Sequence, residues 1–100
     1  MKEITAKELK QLIDSKADYQ LIDVREEYEF DEVNLKGQLI PMGEVMDNME
    51  KISKDKQVII HCRSGKRSAS VIQVLESQHG YTNLYNLKGG ILAYIEEVGL

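Results

Sequence analysis

The chain has 100 residues, of which 42% are hydrophobic, and this is enough apolar material for one domain with a modest core. No stretch is long and apolar enough to cross a bilayer, and residues 1–20 lack the apolar segment of a signal peptide. The single cysteine excludes an internal disulfide, a CxxC redox pair and a cysteine-based metal cluster. We therefore expect a cytoplasmic protein whose thiol stays reduced.

The first half of the chain alternates strand and helix patterns. A brief strand at residues 3–4 is followed by a capping box and an amphipathic helix, and residues 19–24 form the next strand. Residues 26–31 predict a short helical turn, and residues 39–41 end another hydrophobic strand. We expect residues 43–52 to form a helix whose methionines fill the core.

The second half continues this alternation. Residues 58–60, Val-Ile-Ile, form a continuous β-branched run, which is typical of a buried strand in a parallel sheet. Residues 68–78 have the apolar spacing of a helix, and Gly80 is its expected end. Residues 84–87 predict a final strand before a last helix, which is lined by Ile91, Leu92, Ile95 and Val98. The whole pattern predicts one α/β domain over residues 1–100, with a mostly parallel central sheet flanked by helices on both faces.

Cys62 lies where the buried strand stops and the following helix begins. The first amides of a helix lack intrahelical acceptors, and Gly65 permits the backbone angles with which a loop curls its amides around an anion. A free thiol with a pKa of about 8.5 is only about 3% thiolate at pH 7, but this loop also carries the cations Arg63, Lys66 and Arg67. We therefore predict a reactive thiolate at Cys62 rather than an inert buried thiol.

The charge distribution favours a small anionic substrate. The formal net charge of −4 divides into +3 on the cysteine loop and −7 on the rest of the chain. A small cationic spot on an acidic body suits a small anion and argues against nucleic-acid binding.

The segment Cys62-Arg63-Ser64-Gly65-Lys66-Arg67-Ser68 resembles the active-site loop of the rhodanese family of sulfurtransferases. The resemblance extends to residues 21–26, Leu-Ile-Asp-Val-Arg-Glu, and to residues 86–91, Asn-Leu-Lys-Gly-Gly-Ile. These motifs lie in the family's order, so the resemblance covers essentially the whole chain. The chain departs most from the family pattern at residues 31–41, where many members carry Gly-His-Ile and this chain has Val33-Asn34-Leu35.

The resemblance implies that Cys62 takes a sulfane sulfur from thiosulfate or a similar small anionic donor and carries it as a persulfide. A thiophilic acceptor, either a small molecule or a sulfur-accepting protein, then receives the sulfur. The reaction needs no metal or organic cofactor, and we expect no membrane partner. Asp23 and Arg25 would support the walls of the site, and the substrate-binding residues would be Arg63, Ser64, Gly65, Lys66, Arg67 and Ser68.

Several roles stay open at this point. Arg67 either contacts the substrate or clamps the loop to nearby acids, and Arg25 either takes part in catalysis or forms an ion pair with Glu26. His61 invites the role of general base, but adjacent residues of a strand point to opposite faces, so we expect its side chain to face away from the thiolate.

Two other functions compete with sulfur transfer by an enzyme. Cysteine phosphatases and arsenate reductases use a similar strand, loop and helix, but their loop is C-x5-R, whereas this chain has four residues between Cys62 and Arg67. The smaller ring suits a sulfur atom better than a phosphoryl group. The second alternative is a persulfide carrier or interaction module that serves one partner protein.

Overall fold

The computed structural model describes residues 1–100, and its centre is a five-stranded sheet in which every pair of neighbouring strands is parallel. Across the sheet the strand order is β1-β5-β4-β2-β3. The strands are β1 (Lys2–Ile4), β2 (Tyr19–Asp23), β3 (Gln38–Leu39), β4 (Gln57–His61) and β5 (Leu84–Leu87).

Helices cover both faces of the sheet, as the sequence predicts. They are α1 (Ala6–Ser15), α2 (Glu27–Glu32), α3 (Lys66–His79) and α4 (Gly90–Glu97). The predicted capping box at the start of α1 is confirmed, because Thr5 accepts a hydrogen bond from the Glu8 amide and the Glu8 carboxylate accepts one from the Thr5 amide. The α3 helix ends at Gly80, whose φ of 71° is in the left-handed region.

The alternation of side chains along β4 divides the core into two layers. Ile60 and Cys62 belong to the layer beneath α3, together with Val71, Ile72 and Leu75 of that helix. Ile59 belongs to the opposite layer, where residues of α1 and α4 cover the sheet. Cys62 therefore lies on the α3 face of the sheet, at the carboxyl end of a central strand, which is where open parallel sheets bind their ligands.

The prediction of a helix over residues 43–52 is confirmed only in part, because the region is helical but is not one continuous α-helix. Two 3₁₀ segments, Met42–Glu44 and Met46–Lys51, occupy this region, and Asn48 interrupts the second with a non-helical φ of −127°. The Asn48 side chain donates to the Glu44 carbonyl at 2.8 Å, so a side-chain hydrogen bond competes with the helical backbone pattern here. The expectation that the methionines fill the core fails for Met46, which is exposed, and holds for the half-buried Met49.

The predicted apolar face of the last helix is also partly wrong. The α4 helix buries Ile91 and Tyr94 and half-buries Val98, whereas Leu92 and Ile95 are exposed. The buried residues follow the spacing i, i+3, i+7, so the helix is rotated relative to the predicted face. No helix of the structure is long and apolar enough to span a membrane.

Candidate active site

The cysteine loop, residues 62–68, runs from the end of β4 into the first turn of α3 and folds back over its own cysteine. Gly65 is the residue before the helix and has a φ of 104°, a conformation that favours glycine. The Gly65 amide donates to the Cys62 sulfur at 3.1 Å, and the Ser68 hydroxyl lies 3.4 Å from the same sulfur. The loop therefore closes a ring of donors around one atom, as the sequence predicts for a thiolate.

These hydrogen bonds favour the ionised form of the thiol. Burial raises the pKa of the Cys62 thiol, whereas the hydroxyl and amide of Ser68 lower it. The amides of Gly65 and Ser64 lower this pKa further, and the net direction is downward. Cys62 is only 1% exposed, so the sulfur lies at the floor of the loop.

The start of α4 fixes the outside of the loop. The carbonyl oxygens of Cys62 and Arg63 accept the amides of Ile91 at 2.9 Å and Leu92 at 3.2 Å. Since the C=O and N–H groups of a trans peptide point in opposite directions, this anchoring turns the Arg63 and Ser64 amides away from α4. The carbonyls thus bind the neighbouring helix, while the Ser64 amide is left to the sulfur.

Gly90 makes this close approach possible. A Cβ atom at this position would lie 2.3 Å from the Arg63 carbonyl oxygen and 2.7 Å from the Cys62 carbonyl oxygen, and the φ of Gly90 is 63°. Any other residue would separate α4 from the loop.

The three cations of the loop have different surroundings. Arg63 and Lys66 are exposed and form no ion pair. Arg67 donates from both terminal nitrogens to Glu29 of α2, at 2.7 and 2.9 Å. Of the two roles that the sequence leaves open for Arg67, the structure places its guanidinium in the clamp to an acidic residue.

The Arg67 pair shifts the pKa values of both partners. The hydrogen bond from Arg67 holds the pKa of the Glu29 carboxyl at about 2, well below its ordinary value. The same bond raises the pKa of Arg67, so both groups are charged at neutral pH.

Arg25 supports α2 from within the protein. It is 2% exposed and its side chain donates to both carboxylate oxygens of Asp23, with distances from 2.8 to 3.1 Å. The remaining contacts of its guanidinium are the carbonyl oxygens of Glu29 at 3.4 Å and Val33 at 2.7 Å. Of the two roles that the sequence leaves open for Arg25, the structure shows the ion pair, but the partner is Asp23 at the end of β2 and not Glu26.

His61 lies on the opposite side of the sheet from the sulfur, as the alternation of β4 predicts. Its imidazole is fully buried, and its Nε2 atom lies 3.7 Å from an Asp23 carboxylate oxygen. Burial lowers the pKa of His61, so the ring is neutral at pH 7. These features do not favour a general base acting on Cys62.

Sequence reasoning missed two side chains of the site. Asn86 of β5 accepts a hydrogen bond from the Ser68 hydroxyl at 2.6 Å and donates one to the Gly65 carbonyl at 3.1 Å. The Glu29 carboxylate accepts both hydrogen bonds of the Arg67 guanidinium. The sequence shows that Asn86 is a polar residue among the apolar residues of a predicted strand. It does not show the register between β5 and β4 that places Asn86 beside the loop.

A groove with a volume of about 460 Å³ lies beside the loop, between α2 and α4. Arg63 contributes a cation to its wall, and the exposed side chains of Tyr28, Leu92 and Ile95 contribute apolar surface.

No group of three or more histidine, cysteine, aspartate or glutamate residues is placed to hold a metal ion.

The chain is similar to known proteins over almost its whole length. The family model of the rhodanese-like domain matches residues 5–97. The Bacillus subtilis protein YtwF is 38% identical over 95 residues, which cover 94% of this chain and 90% of that protein. A protein of Allochromatium vinosum named sulfurtransferase is 37% identical over 93 residues, which cover 92% of this chain and 86% of that protein.

A solved structure shows the same architecture. The crystal structure of a rhodanese-like domain protein from Staphylococcus aureus superimposes with a TM-score of 0.84 at 34% identity, covering 94% of this chain and 91% of that chain. The sequence match, the parallel sheet and the position of the cysteine loop lead to one assignment: this chain belongs to the rhodanese-like domain family.

Proposed function

We propose that this chain is a sulfurtransferase that moves a sulfane sulfur from thiosulfate, or a similar anionic donor, to a thiophilic acceptor through a persulfide on Cys62. The observation that carries the proposal is the ring around the sulfur, in which the Gly65 amide at 3.1 Å and the Ser68 hydroxyl at 3.4 Å converge on one atom. The relatives named sulfurtransferase support transfer of sulfur in general, and the choice of donor rests on the charge and size of the site.

In the first step the Cys62 thiolate attacks the outer sulfur of thiosulfate. A new S–S bond forms to Cys62, and the bond between the two sulfurs of thiosulfate breaks, with sulfite leaving with the electron pair. The enzyme then carries a persulfide anion. The amides of Gly65, Ser64 and Ser68 favour the anionic form of the Cys62 sulfur, and in this proposal the same group of donors stabilises the anionic sulfur added to it.

In the second step a thiophilic acceptor attacks the terminal sulfur of the persulfide. With cyanide as the acceptor, a C–S bond forms, the S–S bond breaks, and thiocyanate leaves as the Cys62 thiolate is restored. The cycle is ping-pong, because the first product leaves before the acceptor binds. Neither step requires a metal ion or an organic cofactor.

The charged residues around the loop have two further roles, attraction of the donor and positioning of the helices. Arg63 and Lys66 are exposed and unpaired, so they attract the anionic donor toward the loop. Arg67 fixes the first turn of α3 to α2 through Glu29, and Asp23 orients Arg25, which holds the other side of α2. A nucleophile of this kind must stay reduced, which favours a cytoplasmic location.

Steady-state assays with thiosulfate and cyanide test this proposal. We expect thiocyanate to form with ping-pong kinetics, and we expect Cys62→Ser to abolish turnover. Arg63→Gln should raise the KM for thiosulfate several-fold at low ionic strength, and added salt should reduce the difference. Lys7→Gln, which removes an exposed cation of α1, is the matched control and should leave the KM unchanged. A KM that responds equally to both changes would remove Arg63 from donor binding.

The groove between α2 and α4 favours a second candidate function, a persulfide carrier for one partner protein. Small donors and cyanide need no apolar surface, yet Tyr28, Leu92 and Ile95 expose theirs beside Arg63. Single-turnover discharge of the loaded protein separates the two functions. Rapid discharge by cyanide or glutathione supports the enzyme, whereas loading that is followed by discharge too slow for turnover supports the carrier.

A further inference from the structure

Asn86 is a buried amide in a strand whose other buried residues are leucines. It is 5% exposed, and its Cα pairs with Ile60 in the adjacent strand β4, two residues before Cys62. Burying an amide costs free energy unless its polar atoms are hydrogen-bonded. Both polar atoms of the Asn86 amide are hydrogen-bonded, one to Ser68 and one to Gly65. These are the two residues whose hydroxyl and amide lie against the Cys62 sulfur.

The Gly65 carbonyl is the first of these partners. Its oxygen accepts the Ala69 amide at 3.1 Å as part of α3, and it accepts the Asn86 side-chain amide at 3.1 Å. A carbonyl oxygen has two lone pairs, so these two donors complete its hydrogen bonding.

The Ser68 hydroxyl is the second partner. In the first turn of a helix, a serine hydroxyl readily bonds the carbonyl three or four residues before it, and for Ser68 these carbonyls belong to Gly65 and Ser64. Asn86 opposes this in two ways, because it occupies the Gly65 oxygen and it also accepts the Ser68 hydroxyl at 2.6 Å. The hydroxyl oxygen consequently stays 3.4 Å from the Cys62 sulfur.

We infer that Asn86 is a positioning residue for Cys62: by holding the Gly65 carbonyl and the Ser68 hydroxyl together, it keeps that hydroxyl beside the sulfur. The hydroxyl carries one proton, which it gives to the Asn86 oxygen while the sulfur is a neutral thiol and to the sulfur once this is anionic. In the second state the Ser68 and Asn86 oxygens, 2.6 Å apart, no longer share a proton and move slightly apart, while the hydroxyl stays beside the sulfur. Without Asn86, the freed hydroxyl and the freed Gly65 carbonyl satisfy each other, and the sulfur loses a donor.

The inference rests on the proposed role of Cys62 as the nucleophile, and alkylation of Cys62 by iodoacetamide tests it without any sulfur donor. The rate is measured against pH for the natural protein, Asn86→Leu, Ser68→Ala and the double variant. Leucine matches the size of asparagine and lacks its polar atoms. At acidic pH, where the thiolate is the minor species, we expect each single variant to react about tenfold more slowly, since each removes one hydrogen bond to an ionised group.

The double variant decides whether Asn86 acts through Ser68. We expect it to react like Ser68→Ala alone, because the hydroxyl that Asn86 positions is already absent. An unchanged pH profile in Asn86→Leu overturns the inference, and so does a double variant whose slowing is the product of the two single effects. If Asn86→Leu does not fold, Asn86→Ala removes the same two hydrogen bonds without adding bulk and gives the same comparison.

Asn83→Leu is the matched control. This asparagine precedes the same strand, and its side chain donates to the carbonyl oxygens of Ser53 at 2.8 Å and Lys56 at 2.6 Å, away from the loop. We expect it to lower the stability and to leave the alkylation profile of Cys62 unchanged. If thiosulfate failed to load Cys62 while these profiles behaved as described, the proposed function would be wrong and the positioning role of Asn86 would stand.

Discussion

Arg67 and Glu29 join the cysteine loop to a helix that lies 38 residues earlier in the chain, through two parallel hydrogen bonds of 2.7 and 2.9 Å. The fork of the guanidinium matches the two oxygens of the carboxylate, so the pair fixes an orientation as well as a distance. Arg25 holds the carbonyl oxygens of the same short helix from the buried side. The α2 helix has no buried residue of its own and is therefore held beside the site by these two arginines.

Glu29→Gln should destabilise the protein in a pH-dependent way. The pKa of Glu29 is about 2 in the folded chain against an ordinary value of 4.5, so the unfolded state binds more protons between these values. The pair therefore stabilises fully above about pH 4.5, and its contribution is lost as the pH falls toward about 2. We expect a loss of about 0.5–1 kcal/mol at pH 7, because the arginine is partly exposed and the pair is bidentate.

Urea unfolding of both proteins at several pH values checks this. The difference between natural protein and variant should shrink steadily in the acid range. Glu44→Gln, which neutralises an exposed carboxylate without an ion pair, is the control and should show no such trend. A Glu29→Gln effect that stayed constant down to the acid limit would contradict the assignment.

Gly90→Ala should damage both stability and the site. The added Cβ atom would lie 2.3 Å from the Arg63 carbonyl oxygen, and the residue would have to keep a φ of 63°. We expect a loss of at least about 2 kcal/mol in urea unfolding, together with slower alkylation of Cys62, since α4 anchors the loop carbonyls. Gly43→Ala is the matched control, because a Cβ atom there meets nothing within 4 Å. Equal stabilities of the two variants would show that the contact of α4 with the loop is not close.

The size of the ring should decide which chemistry the loop supports. Four residues separate Cys62 from Arg67, and the Arg67 guanidinium is already occupied by Glu29, so it is not free to bind a phosphoryl oxygen. We expect negligible hydrolysis of p-nitrophenyl phosphate by the natural protein. A glycine inserted between Gly65 and Lys66 should reduce thiosulfate turnover strongly. The melting temperature should fall only slightly, because loops tolerate insertion thermodynamically.

A glycine inserted between Asp55 and Lys56, in an exposed turn, is the control for the lengthened loop and should leave thiosulfate turnover near the natural rate. Undiminished sulfur transfer in the protein with the longer loop, or measurable phosphatase activity in the natural one, would mean that the ring size is not the selector.

Local sequence signals predicted the parts of the site that depend on local structure. The β-branched run, the glycine and the helical spacing around Cys62 placed the thiol between β4 and α3, and the structure confirms this placement. The alternation of a strand likewise predicted that His61 and Cys62 face opposite layers. Backbone periodicity determines both features, so one short stretch is sufficient to find them.

The parts that depend on register between distant segments could not be predicted in this way. Asn86 reaches the loop because β5 pairs with β4, and Glu29 reaches Arg67 because Arg25 and Asp23 hold α2 in place. We also expected the loop cations to help lower the pKa of Cys62, whereas the groups found to lower it most are the Ser68 hydroxyl and the amides of Ser68, Gly65 and Ser64. Leu92 and Ile95 are exposed because anchoring of the first α4 amides to the loop sets the rotation of that helix.

The most direct test of the central claim is the intact mass of the protein after incubation with thiosulfate. We predict an increase by one sulfur atom, reversal of that increase by cyanide or dithiothreitol, and no increase in Cys62→Ser. Alkylation of a parallel sample shows that the thiol is reduced and accessible. If that sample alkylates while the mass stays unchanged with thiosulfate and with other sulfane-sulfur donors, Cys62 does not carry sulfur and the account is contradicted.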